Sequence, residues 1–353
     1  MYIAAIILLG IFFFSVVSGA FIFVQMFVRR KDGSLNPSVI ENALEQMKQS
    51  KDGADLEGVK MRNASKELSD HLNDKKIMIP LLEAKLRWLN SDSDRIEKIN
   101  ICGTYGKKLA GYYVKPENPT RNIVLIVHGY TDSAAGMAYL TEEYIKRGIA
   151  VLAVDCRAHG YSEGNIITLG YTDSKDVVLW VKEIVKRFGD VNIILHGVSM
   201  GGATVIQSLS HKKMQEFVPQ IKLAVSDCTF VSARSQMMKQ SSVILGSTLI
   251  QKIISNIVVF GMSLVNFFVC GFFMEQNSPK NALKKIQKMP AVKIPLIFFH
   301  GKKDSFVPYE KVLTLKANTD NNARVFIIED APHIGSYFYE PELYMKVVTE
   351  KLV

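Results

Sequence analysis

The stretch "VNIILHGVSMGGATVIQ", Val191 to Gln207, decides how this chain is read. Its first six residues are almost wholly apolar and rich in β-branched side chains, the composition of a strand buried on both faces. The residues from Gly201 onward suit a helix. Between them Gly197-Val198-Ser199-Met200-Gly201 fits G-x-S-x-G. Alone the pattern is weak, since a chain of this composition matches it by chance roughly one time in ten. A strand before it and a helix after it are the setting a nucleophile elbow requires. The tight turn forces an unusual backbone angle on the serine, and side chains at the flanking positions would block it.

Working outward, apolar runs of strand length recur at 122–127, 148–154, 191–196, 221–226, 294–299 and 323–328. Segments of helical period lie between them, clearest in "AAGMAYLTEEYIKR", "TDSKDVVLWVKEIVKRF" and "PELYMKVVTEKL". "IEKINIC" and "KLAGYYV" flank a turn from Gly103 to Gly106 and read as a hairpin. Alternating strands and helices predict an α/β fold with a mainly parallel sheet. In such sheets ligands bind beyond the carboxyl ends of the strands, so the chemistry is expected just after the apolar runs.

A serine hydroxyl needs a base, an acid to orient the base, and donors for the oxyanion. Of the seven histidines, His333 in "EDAPHIG" follows the last apolar strand and is the expected base. His128, His159, His196 and His300 also follow strands; His71 lies in a polar region and His211 at a helix end. Asp304 in "HGKKDSFVP" is the expected acid, with Asp227 in "VSDCTF" its competitor one strand earlier. Asp330 is close to His333 but sits on the strand that must present it. "IVHGYTDS" supplies the oxyanion loop: the backbone N–H of Tyr130 would face the pocket, joined by that of Met200 after the serine.

Taken in order, "HGYTDS", "DCRAHGYSEG", "HGVSMGG", "HGKKDSFVP" and "APH" resemble the α/β-hydrolase superfamily, in particular its serine-aminopeptidase-like and Bem46-like branches. The resemblance covers roughly Ile96 to Val353. It implies a serine hydrolase without metal or organic cofactor, and for the Asp155–Ser162 loop a bracing role. A serine at the elbow, where some relatives carry an aspartate, suits acyl transfer to water. The expected reaction is cleavage of a carboxylic ester or related acyl bond in a small-molecule or lipid-like substrate. Peptidase and thioesterase activities of the same fold are the alternatives, as is a non-catalytic, membrane-tethered interaction protein.

Tyr2 to Val28 carries no charge. As a helix it is about 40 Å long, more than the roughly 30 Å of a bilayer's hydrocarbon core. It reads as a membrane span. A cleaved signal peptide is the rival, but no basic segment precedes the apolar run and the run continues past Ser18-Gly19-Ala20. Arg29, Arg30 and Lys31 follow it, which puts the remainder of the chain in the cytoplasm. Residues 1–31 are thus expected to be a single-pass anchor, 32–95 a polar helical stalk or linker, and 96–353 the hydrolase domain with a cap inserted at about 231–290. Within that cap, residues 253–273 carry no charge. One crossing there would part Ser199 from Asp304 and His333, so the stretch reads as helices of a hydrophobic lid. Four cysteines without a pairing or metal-binding pattern fit reduced thiols. The net charge of +9 comes from scattered lysines and arginines and argues for no nucleic-acid partner.

Overall fold

The computed structural model describes residues 2–29, 35–49, 72–91, 96–289, 293–320 and 322–350. Its centre is an eight-stranded sheet: β1 (Ile96–Cys102), β2 (Lys108–Val114), β3 (Asn122–Val127), β4 (Ala150–Val154), β5 (Asn192–Val198), β6 (Ile221–Asp227), β7 (Leu296–Gly301) and β8 (Ala323–Ile328), in the order β1-β2-β4-β3-β5-β6-β7-β8. β1, β2 and β4 pair antiparallel, and every pairing from β4 through β8 is parallel. The α/β-hydrolase architecture expected from the strand–helix alternation is what the chain adopts.

The helices are α1 (Tyr2–Phe27), α2 (Pro37–Gln49), α3 (Lys75–Leu89), α4 (Ala138–Lys146), α5 (Asp173–Phe188), α6 (Met200–Leu209), α7 (Ala233–Leu245), α8 (Leu249–Cys270), α9 (Pro279–Ile286), α10 (Glu310–Lys316), α11 (Ser336–Tyr339) and α12 (Pro341–Thr349). Period-two alternation divides the core. Ile123, Leu125 and Val127 of β3 face a cluster shared with α5, α6, α9 and α10. Val124 and Ile126 face a second cluster built from α2, α3, α4 and α12.

Two boundaries differ from expectation. Residues 32–95 do not stand off as a stalk where they are described. α2 buries Ile40, Ala43, Leu44 and Met47, and α3 buries Ile77, Met78, Leu82 and Ala84, against the second face of the sheet. The α2 positions follow the i, i+3, i+4, i+7 spacing of a half-buried helix. Burial of the large apolar side chains, the alanines apart, stabilises the fold at roughly 1.5–3 kcal/mol each. Second, α9 is no part of a cap: Ala282, Leu283 and Ile286 sit in the main core. Between β6 and α9 the chain inserts α7 and α8. The apolar run at 253–273 is one helix, opened by the capping box of Thr248 and Gln251 and closed by Gly271 in the left-handed conformation.

α1 is exposed from Ile7 to Phe14 and packs against the protein beyond, with Phe23 and Phe27 in the main core. Past its end, Val28 bridges to Ile166, and the Arg29 N–H donates to the Asn165 carbonyl at 2.8 Å.

Candidate active site

Ser199 stands between β5 and α6 with φ 54 and ψ −114, a region that costs a side-chain-bearing residue about 1–3 kcal/mol. The crowding that holds it there is measurable. A Cβ on Gly201 would lie 2.0 Å from the Val127 carbonyl oxygen, and one on Gly197 would lie 2.1 Å from the Gly201 carbonyl oxygen. Only glycine fits at either place. The Ser199 N–H donates to the Asp227 carbonyl at 2.8 Å, and the Thr229 hydroxyl donates to the Ser199 carbonyl at 3.1 Å. The elbow is thereby tied to the neighbouring strand.

β7 and β8 deliver the partners. The Ser199 hydroxyl lies 3.0 Å from His333 Nε2, and His333 Nδ1 lies 2.7 Å from Asp304 Oδ2. An ionised carboxylate only accepts, so Nδ1 carries the proton and Nε2 is left to accept from the serine. Burial alone would raise the Asp304 carboxyl. The charge of His333 and the hydrogen bond from His300 outweigh it and hold the group well below the usual carboxylate range. Asp304 also accepts from the Val307 N–H at 2.7 Å.

Asp227 is engaged elsewhere. Its carboxylate accepts from the hydroxyls of Ser336 at 2.7 Å and Tyr344 at 3.2 Å. Asp330 pairs with Lys303 in solvent. His128 accepts from the Cys156 N–H, His196 lies between the hydroxyls of Tyr144 and Tyr344, and His159 accepts from the Thr131 N–H. His211 pairs with Ser174, and His71 lies outside the described residues.

Gly129 places the oxyanion loop: a Cβ there would be 3.5 Å from both Ser199 Cβ and the Val198 carbonyl oxygen. The Tyr130 amide comes next in the chain, and Met200 opens α6 on the other side of the serine. The loop from Asp155 to Ser162 braces this region. Asp155 accepts from the N–H groups of Ala134 and Tyr161, and Arg157 makes a buried ion pair with Asp176 at 2.6 Å.

Several contacts had no signal in local sequence. His300 Nε2–H is shared between the Val307 carbonyl at 2.7 Å and Asp304 Oδ2 at 3.2 Å, so a second histidine steadies the acid. Burial works to lower the His300 imidazole, but the hydrogen bond and charge of Asp304 prevail and its net direction is upward. The Tyr130 hydroxyl donates to the Met26 carbonyl of α1, while Arg29 donates to the carbonyls of Gly160 and Ser162. The Phe306 ring sits edge-on to His333 with centroids 5.0 Å apart.

Cys228, Asp304 and His333 bring potential metal ligands within 4.8 Å of one another. Burial pushes the Cys228 thiol well above its ordinary value, which disfavours the thiolate a metal needs. Both His333 nitrogens are already engaged, so the set suits proton transfer better than ligation.

Residues 118–268 match the family described as "Serine aminopeptidase, S33". A protein named YqkD, from Bacillus subtilis strain 168, is 26% identical over 261 residues, 71% of this chain and 77% of its own. YfhR of Escherichia coli K12 is 22% identical over 249 residues, 68% of this chain and 74% of its own. Both are described as uncharacterized. Among solved structures, the Pyrococcus furiosus esterase Pf2001 superposes with a TM-score of 0.57 at 23% identity, covering 74% of this chain and 94% of its own. Acylaminoacyl peptidase of Pyrococcus horikoshii does so at 0.51 and 18%, covering 75% and 44%. With its mostly parallel sheet and the serine on a strained strand–helix turn, the chain has the α/β-hydrolase fold, and its residues 118–268 are similar to the serine aminopeptidase family.

Proposed function

We propose that this protein is a membrane-anchored serine hydrolase that cleaves a carboxylic ester or related acyl bond through an acyl-enzyme on Ser199. The observation that carries the reading is the unbroken relay from Asp304 through His333 to Ser199, at 2.7 and 3.0 Å, ending on a strained elbow. Ser199 Oγ attacks the carbonyl carbon while His333 Nε2 takes its proton. The N–H groups of Tyr130 and Met200 hold the oxyanion. As the tetrahedral adduct collapses, His333 returns the proton to the leaving oxygen. Water, deprotonated by His333, then releases the acid and restores the serine. Asp304 keeps Nδ1 protonated and stabilises the imidazolium formed in each half-reaction.

α1 supplies the anchor. It is long and apolar enough to cross a bilayer, and each side chain from Ile7 to Phe14 is exposed. The basic residues that follow it support a hydrolase domain on the cytoplasmic side. The esterase among the structural relatives favours an ester substrate, and the peptidase among them makes an amide the competing one. A fluorophosphonate probe tests the nucleophile. Labelling that disappears in Ser199→Ala supports the reading, and a parent chain that takes no probe sinks it. A panel of matched esters, thioesters and peptide amides then ranks the bond cleaved.

A further inference from the structure

The α7–α8 cap is a second apolar body on the molecule. Leu249, Ile250, Ile253, Phe260 and Phe268 of α8 are exposed, and so is Ile244 at the end of α7. What covers this surface is indicated by the partner α8 already has. The Ser15 hydroxyl of α1 donates to the Ile257 carbonyl of α8 at 2.6 Å. A Cβ on Gly19 would lie 2.4 Å from the backbone of Gly261 and Met262. Four residues along α1 match about four along α8, so the two helices run together, backbone against backbone. Contacts of small residues such as these are how helices pair in hydrocarbon. N-terminal to that contact, residues 7–14 are exposed all around the helix, and an apolar solvent suits such a surface.

The cap does not cross the bilayer. α7 has 13 residues, about 20 Å of helix, too short for a roughly 30 Å core. Two of its polar side chains turn inward: Gln236 donates to the Phe306 carbonyl at 2.9 Å, and the Ser241 hydroxyl donates to that of Ser255 at 2.8 Å. The chain therefore enters and leaves on one side, and Ser199, Asp304 and His333 stay together.

Both apolar bodies are rooted at the candidate site. α1 ends where Met26 accepts from Tyr130, on the oxyanion side of Ser199. α7 lies over Phe306, which packs on His333 on the other side. We infer that the α7–α8 tip is immersed in the bilayer beside α1, and that the substrate is an acyl ester of a bilayer-resident amphiphile, entering between these two roots. The inference rests on the hydrolase reading above and adds the source and class of the substrate to it.

The test uses the full chain in phosphatidylcholine vesicles carrying the oleoyl ester of 4-methylumbelliferone, with the acetyl ester of the same alcohol in the water phase. Ile250 and Ile253 are 71% and 52% exposed, so replacing both with Asp leaves the core untouched. The expected result is a loss of at least tenfold on the oleoyl ester with the acetyl ester rate within twofold of the parent. Equal rates on both esters, parent and variant alike, overturn the immersed tip. A parent that cleaves acetyl but not vesicle-borne oleoyl ester overturns the substrate class and leaves the Ser199 reading standing. A parent that cleaves neither and takes no fluorophosphonate fails at the hydrolase reading itself. Should the double variant lose both activities, a fluorophore on Ile250→Cys decides, in a chain whose Cys102 and Cys270 are serine. Quenching by brominated lipid supports immersion, and quenching only by aqueous iodide overturns it.

Discussion

Replacing Asp304 by Asn tests the acid through its hydrogen-bond inventory. Asp304 accepts from three donors: His333 Nδ1 at 2.7 Å, the Val307 N–H at 2.7 Å, and the shared His300 Nε2–H at 3.2 Å. An amide can accept with one oxygen only. If Asn keeps that oxygen on the Val307 N–H, its NH2 faces two histidine nitrogens. His333 Nδ1 must then become an acceptor, its proton moves to Nε2, and Nε2 no longer takes the proton of Ser199. If the amide flips, the NH2 opposes the Val307 N–H inside a buried site. The flipped amide keeps the His333 tautomer but sets two buried donors against each other, so the first arrangement is favoured, and it removes the base. In the serine-protease template the wrong tautomer lowers kcat about 10⁴-fold, which is about 5.5 kcal/mol on the barrier. Asp227→Asn is the control. Its partners are the hydroxyls of Ser336 and Tyr344, which rotate and can accept as well as donate, so kcat is expected within about tenfold of the parent. The assay is kcat on a short-chain ester, with thermal melts to show that both variants fold. A loss below about a hundredfold for Asp304→Asn, or a larger loss for Asp227→Asn, would refute the assignment.

Ser199→Ala is expected to abolish turnover and probe labelling with little change in melting temperature; turnover within about tenfold of the parent would remove Ser199 as nucleophile. Tyr130→Phe deletes only the hydroxyl that reaches Met26, so kcat is expected to fall several-fold with KM unchanged, through looser placement of the oxyanion amide. An effect on KM alone would contradict this. Burial lowers His128 to about 4 and His159 and His196 to about 3 from an ordinary 6.5. These histidines fold neutral, and the unfolded chain protonates first as pH falls. Their contribution is present above about pH 6.5 and drains away toward pH 4, each at ~1.4 kcal/mol per pH unit. Burial raises Asp173 to about 6, which opposes one of the three below about pH 6. Melting temperatures in detergent at pH 7.5, 6 and 5 should fall in that order, and a flat profile would show the imidazoles to be solvated. Reporters inserted near residues 235 and 292 should give the same, cytoplasmic side; opposite sides would break the relay itself.

The sheet, the elbow and the order of Ser199, Asp304 and His333 were legible because each depends on short-range pattern. Runs such as "NIVLIV" become strands buried on both faces, and Gly197 and Gly201 mark a turn no other residue fits. The same reading missed α2 as part of the core, since its stripe of Ile40, Ala43, Leu44 and Met47 is diluted by Ala43 and by polar neighbours. A narrow apolar stripe shows that a helix has something to cover without showing what. Only tertiary structure distinguishes Asp304 from Asp227, because the two follow or end adjacent strands and the loop after β7 brings the Asp304 carboxylate to His333. It also decided the roles of His300, of Phe306, and of the α1 end that meets Tyr130 from 104 residues away. Local composition governs which element forms. Which side chains meet is set by how those elements pack, and that packing is a property of the whole chain.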